Sequence, residues 1–261
     1  MELNSQNSEV IGLLKELKLR HFSDAFEKDI GALPEGERAL ITTQIKKWAG
    51  HERAERRTLA IASKIKSAKF RQEQTVDKFN FKHTKDIEKI EKSYLRLCSE
   101  ISRENLPSAV FSGTAGLGKT HLARALGYAA CQKGLSVAFL TAAEMVNRLA
   151  HAQKTFNLEQ ELNKFRRPQV LIIDELGYVS LDTQSSNLFF QVISSRHDQK
   201  LGIITTTNLS FGKFNQIFAN DAIAHAIVDR LVNDAEVFYM EGPSYRPHQR
   251  ELKMGRKKNN A

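Results

Sequence analysis

The spacing of apolar residues along this chain changes character near residue 106. From there on, short apolar runs alternate with longer stretches in which apolar residues recur every three or four positions. SAVF, LSVAFLTA, PQVLIIDE, LGIITTTN and AEVFYMEG are the runs, each of a length that suits a buried strand. THLARALGYAACQ, AAEMVNRLAHAQ, FNLEQELNKFRR, TQSSNLFFQVISSRHD and NDAIAHAIVDRLVND carry the helical period. Strands alternating with helices predict an α/β fold, a parallel sheet covered on both faces, with ligands bound beyond the carboxyl ends of the strands.

Before residue 106 the pattern is helical only. Val10, Leu13, Leu14 and Leu17 repeat at helical spacing, and Ser23 is a candidate cap for a second short helix carrying Phe22, Ala25 and Phe26. GALPEGE reads as a turn, after which ERALITTQIKKW restarts a helix. Residues 51–72 are amphipathic. At 100° per residue Arg53, Arg57, Lys64 and Arg71 fall within roughly 40° of one another, whereas Ala54, Thr58, Ile61, Ala62 and Ile65 cover another side. VDKFNFKHTKD is a connection in which Phe79 and Phe81 either cover a bound base or belong to the core. KDIEKIEKSYLRLCSEIS then leads as a helix into the first strand.

Charge sharpens this division. The net charge is +9, of which residues 44–72 hold +7 and residues 246–261 hold +5, leaving −3 for everything else. The basic charge thus lies outside the α/β region and points to a polyanionic partner, nucleic acid first. Arg53, Arg56, Arg57, Lys64 and Arg71 are the candidate contacts to DNA phosphates; the alternative is an ordinary solvated helix face. The start, MELNSQNSEV, has neither the basic nor the apolar region of a signal peptide, and VLII is far too short to cross a bilayer. Cys98 and Cys131 have no CxxC or CxxH neighbour, which argues against zinc or a disulfide framework and for a reducing cytoplasm; the short apolar runs give no expectation of a membrane partner.

Between SAVF and THLARALGYAACQ, Gly113, Gly118, Lys119 and Thr120 spell the phosphate-binding pattern G-x-x-x-x-G-K-[ST]. The loop Gly113-Thr114-Ala115-Gly116-Leu117-Gly118-Lys119-Thr120-His121 is the candidate nucleotide site. Its glycines permit the tight turn that aims backbone N–H groups at phosphates, and the helix N-terminus favours the anion. Lys119 would bridge the β- and γ-phosphates of ATP, and the Thr120 hydroxyl would ligate Mg²⁺. VLIIDE ends a buried strand in two acids, 54 residues after Thr120. Asp174 would hold the metal, mostly through water, and Glu175 would deprotonate the attacking water. Asn208, at the end of IITTTN, would bind the γ-phosphate and the water, or is simply a turn former. Arg230, beside Asp229, reads by itself as a surface ion pair.

GTAGLGKTH, VLIIDELGYVSLD, IITTTNLSF, AIVDRLVNDAEV and EGPSYR occur in the order and spacing of the IstB/DnaC-like AAA+ ATPases. The chain resembles most the IstB-type transposition helpers of that family. LLKELKLRHFSDAF, ERRTLAIASKIKSAKF and KFNF also have counterparts there, so the resemblance covers nearly the whole length. It implies that Asn208 is the sensor residue and Arg230 an arginine finger acting on a neighbouring subunit. It also implies an ATP-dependent homo-oligomer that assembles on and deforms duplex DNA and stimulates a partner transposase. Arg246 is expected near the nucleotide. The implied organisation is a helical DNA-binding and oligomerisation domain over 1–78, a linker and lead-in helix over 79–105, an AAA+ ATPase domain over 106–245 and a basic tail over 246–261. About 20 residues follow the last expected strand, too few for a full helical lid. Three departures from the family pattern stand out: Thr114-Ala115 in place of a proline-containing loop start, Phe214 in place of Trp, and the basic tail. Two other readings share the core. A replicative helicase loader would grip a helicase and prefer single strands; a nucleotide-gated DNA-architectural protein would need no base at Glu175.

Overall fold

The computed structural model describes residues 2–70 and 72–245, and the chain divides into two compact units at Ala62/Ser63. The first unit is helical. Helices α1 (Glu2–Glu16) and α2 (Arg20–Ile30) pack with the first part of α3 (Glu35–Ser67) around Val10, Leu13, Leu14, Leu17, Phe26, Ile30 and Ala49. Lys18, at φ 61°, turns the chain between α1 and α2. Ser23 does not cap α2: it lies buried inside the helix, and Leu19 holds the cap position with no side-chain hydrogen bond. GALPEGE forms the expected turn only up to Pro34, because α3 begins at Glu35 and runs unbroken through both basic and apolar stretches.

That unbroken helix also stops early. It ends at Ser67, and Lys69 adopts a left-handed φ of 58°. Arg53, Arg57 and Lys64 therefore share one helix, while Arg71 lies beyond its end and outside the described residues. Arg53 pairs with Glu16, and Arg56 pairs with Glu52 and donates to the Leu17 carbonyl. Both ion pairs are exposed, of a kind worth about 0–1 kcal/mol, so neither ties up its arginine.

The second unit is the α/β body. Its parallel sheet has the order β2-β3-β4-β1-β5, built from β1 (Ala109–Gly113), β2 (Val137–Thr141), β3 (Val170–Asp174), β4 (Gly202–Thr207) and β5 (Glu236–Met240). Each strand falls on an expected apolar run. Alternation within the strands supplies both faces. Ala109, Phe111, Val170, Ile172 and Ile204 enter one core with α4 (Lys85–Ser99) and α5 (Lys119–Gln132). Val110, Leu171, Ile173 and Ile203 enter the other with α6 (Ala142–Lys154), α7 (Leu158–Arg166), α8 (Thr183–Asp198) and α9 (Asp221–Val232). The second unit takes in residues that the sequence pattern assigns to the N-terminal domain and linker: Ile65, Ala68, Phe70 and all of α4 pack into the first core.

Polar ties lock the layers. Tyr94 of α4, fully buried, donates its hydroxyl hydrogen to the Leu122 carbonyl of α5. Arg196, at the end of α8, is fully buried, and its guanidinium donates to the carbonyls of Phe165, Pro168, Gln169 and Gly202, which compensate a buried charge at the sheet's amino-terminal edge. Thr141 forms a capping box with Glu144 at the start of α6. Both cysteines are free, and burial pushes each thiol up to about 11, so neither is a ready nucleophile at neutral pH. Among the described residues no helix is long and apolar enough to cross a membrane.

Candidate functional site

At the carboxyl ends of β1, β3 and β4 the second unit opens into a cleft of about 400 Å³. Its floor is the loop that follows β1. Gly116 and Gly118 take φ of 85° and 90°, where a side chain would be strained. A Cβ on Gly118 would also stand 2.6 Å from the Phe79 ring. Helix α5 starts at Lys119, so its positive N-terminal end, with Lys119, Thr120 and His121, lines the cleft. The Lys119 ammonium donates to the Gly113 and Thr114 carbonyls at 2.8 and 2.7 Å.

The opposite wall is the end of β3. Asp174 is 2 % exposed. Its Oδ1 accepts from the Thr120 hydroxyl at 2.8 Å and from the Thr206 hydroxyl at 2.5 Å. The Thr206 oxygen in turn accepts the Glu175 N–H at 2.9 Å, so one β4 hydroxyl organises both acids. Glu175 sits at φ 61°, a left-handed conformation that costs a non-glycine residue about 1–2 kcal/mol. The strained turn places its exposed carboxylate along the cleft. Asn208 lines the same cleft, and its Oδ1 is buried without a hydrogen-bond partner.

Ala115, Gly116, Gly118, Lys119, Thr120, His121, Asp174, Glu175 and Asn208 thus line one cleft. Other expected residues do different work. Leu117 is 2 % exposed and packs in the first core, so only its backbone is available to a ligand. Thr114 donates its N–H to Met240 and its hydroxyl hydrogen to Gly242, and Gly113 lies against the Met240 carbonyl with no room for a Cβ. These two residues dock the phosphate loop onto the end of β5 and the segment after it. The Tyr245 N–H completes that dock by donating to the Gly116 carbonyl. The Phe79/Phe81 alternative divides: Phe81 is core, while Phe79 meets Gly118 and the His121 ring at the cleft. Burial, the largest influence, lowers the His121 pKa, so at neutral pH the ring is uncharged and its Nε2–H is assigned to the Thr75 carbonyl at 2.8 Å.

Arg230 stands apart. It does not line the cleft, and its partner is not Asp229: the guanidinium lies 4.9 Å from the Phe190 ring centre and donates to the Ala226 carbonyl. Arg246 and the basic tail lie outside the described residues.

Thr206 and Arg124 are site residues that no motif points to. Arg124 follows Thr120 by one helical turn and reaches Asp174 from α5. A hydroxyl within IITTTN and an arginine within a helix carry no motif signal. Thr206→Val should show what the hydroxyl contributes. It removes the acceptor of the part-buried Glu175 N–H and the bond to the buried Asp174, so we expect a loss of about 1–3 kcal/mol in denaturant unfolding. A variant as stable as wild type would remove Thr206 from this role.

The profile of the IstB-like ATP binding protein family matches residues 12–253. The chain belongs to that family. It is 36% identical over 207 residues to a protein of Geobacillus stearothermophilus named as an ATP-binding protein of insertion sequence IS5376, covering 79% of this chain and 81% of that one. It is 32% identical over 233 residues to the corresponding IS232 protein of Bacillus thuringiensis subsp. berliner, covering 89% and 92%. Among solved structures, a DnaC helicase loader superposes with a TM-score of 0.56 at 20% identity, over 64% of this chain and 97% of that one. AMPPCP-bound DnaA from Aquifex aeolicus superposes at 0.54 and 17% identity, over 64% and 50%. The second unit therefore shares the fold of those structures, and the chain is an IstB-like ATP-binding protein related to those of insertion sequences.

Proposed function

We propose that this IstB-like protein hydrolyses ATP, assembles with it on duplex DNA in the cytoplasm, deforms that DNA and stimulates a partner transposase. The observation that carries the hydrolytic reading is the convergence of Thr120, Asp174, Glu175 and Thr206 at one wall of the cleft. The donor set fits Mg²⁺: a threonine hydroxyl and a buried carboxylate are hard oxygen ligands, and they already meet at 2.8 Å. Held there with the nucleotide, the ion would neutralise charge on the β- and γ-phosphates. Lys119 leaves the loop carbonyls for those phosphates. Glu175 takes the proton of a water whose oxygen attacks the γ-phosphorus, while the bond to the β–γ bridging oxygen breaks and ADP keeps its electron pair. The unpartnered Asn208 Oδ1 accepts a hydrogen bond from that water. Arg230, turned away from its own cleft, is offered to a neighbouring subunit.

The insertion-sequence relatives support transposition over helicase loading. Arg53, Arg57 and Lys64 on α3 supply the cationic face for duplex phosphates. Neutralising all three should weaken duplex binding in ATP and flatten its salt dependence, by about 0.9 in the slope of log K against log salt for each phosphate no longer neutralised. Binding titrations over a range of salt, paired with phosphate release with and without duplex DNA, test the proposal. An unchanged slope returns the stripe to a solvated face. Absence of phosphate release with ATP and DNA leaves a nucleotide-gated binder.

A further inference from the structure

Arg124 has no place in the reaction outlined above, yet it lies against the acid that reaction depends on. Its guanidinium NH2 is 4.0 Å from Asp174 Oδ2, the oxygen not taken by Thr120 and Thr206. The two side chains are 11% and 4% exposed, so water screens the pair poorly. Two further contacts hold the cation there: the Gln74 Oε1 accepts from NH1 at 2.9 Å, and the Phe139 ring centre lies 4.6 Å from the guanidinium. The rest of the wall is poor in metal ligands. Among the described residues no cluster of three or more His, Cys, Asp or Glu could hold a metal ion, so this wall offers a divalent ion at most the Asp174 and Glu175 carboxylates beside the Thr120 and Thr206 hydroxyls.

We propose that Arg124 is a positioning residue that keeps free divalent cations out of the Asp174 site, so that the metal enters with the nucleotide. A fixed positive charge beside the Asp174 carboxylate repels a dication that arrives alone. When the ion arrives with a triphosphate, the phosphate oxygens complete its coordination and their negative charge offsets the arginine. The inference rests on the nucleotide–metal reading of this cleft.

The test uses Mn²⁺ as the probe and the full-length, nucleotide-free protein, with bound ion followed by electron paramagnetic resonance. R124M removes the charge and keeps the bulk; R124Q, able to keep a hydrogen bond to Gln74, is the second variant should R124M fail to give the wild-type near-ultraviolet circular dichroism. Removing one buried unit charge next to a dication should tighten Mn²⁺ binding about tenfold or more. R124K, which retains the charge and loses the planar stack, should bind Mn²⁺ as weakly as wild type. The gain in R124M should vanish when D174N is added. Unchanged Mn²⁺ affinity in both neutral variants overturns the proposal. So does a gain that R124K shares, since a merely structural arginine would behave that way, and so does a gain that survives D174N. A separate arm titrates wild type with Mn²⁺ and ATP together: ATP-dependent binding lost in D174N upholds the underlying site, and its absence there counts against the nucleotide–metal reading itself.

Discussion

Glu175→Gln should cut ATP turnover by about 10²–10⁴-fold while leaving nucleotide binding within a few-fold of wild type, the range expected when a general base is removed. The substitution preserves shape and removes only the ability to take a proton. Nothing that holds residue 175 depends on its carboxylate. The backbone is fixed by the turn at φ 61° and by its N–H bond to Thr206, and the side chain is exposed along the cleft. Stability should therefore be unchanged. Steady-state phosphate release and equilibrium nucleotide titration separate the two effects. If hydrolysis releases the DNA, complexes formed by this variant in ATP should also outlive those of wild type in a gel shift. Turnover at the wild-type rate would falsify the assignment of Glu175 as base, and faster dissociation from DNA would count against hydrolysis as the release step.

Arg230→Ala carries the second large effect. Arginine fingers in GTPases contribute about 10³–10⁵ in rate, and a loss of at least about 10² is expected here. The fold should survive. The side chain gives up one cation–π contact and one hydrogen bond to Ala226, together about 1–2 kcal/mol. Neither Asp229 nor the cleft is its partner, so a loss of turnover without loss of nucleotide affinity points first to the site of a neighbouring subunit. Mixing decides the matter. A Glu175→Gln subunit keeps an intact Arg230, and an Arg230→Ala subunit keeps an intact Glu175. Partial activity should return when the two are combined at concentrations that permit assembly, and only then. Full activity of Arg230→Ala alone sinks the finger. Inactivity alone and in mixtures assigns the arginine a role in its own subunit.

The α/β core was legible in the chain because each of its signals is local. Strand alternation, helical period and the glycine, lysine and threonine of the phosphate loop depend on neighbours a few residues apart, and every expected strand and helix after residue 106 formed where its period placed it. The acids at the end of VLIIDE were legible for the same reason: a buried strand delivers its last residues to a known edge of a parallel sheet. The left-handed turn at Lys69 and the stop of α3 at Ser67 were not, because Ala68 and Phe70, just past the helix, pack beside Ile65 into a core made by distant strands. Nor did the chain distinguish Phe79 from Phe81, two residues apart and alike in kind, until Tyr94 and Gly118 claimed one each. Thr206, Arg124, Arg196 and the segment bearing Tyr245 acquire their roles only across the fold, from partners 32, 50, 31 and 129 positions away. A hydroxyl, a long cation or a backbone N–H has many possible partners and no period of its own. Burial decides which partner it meets, since a polar group taken out of water must find one there.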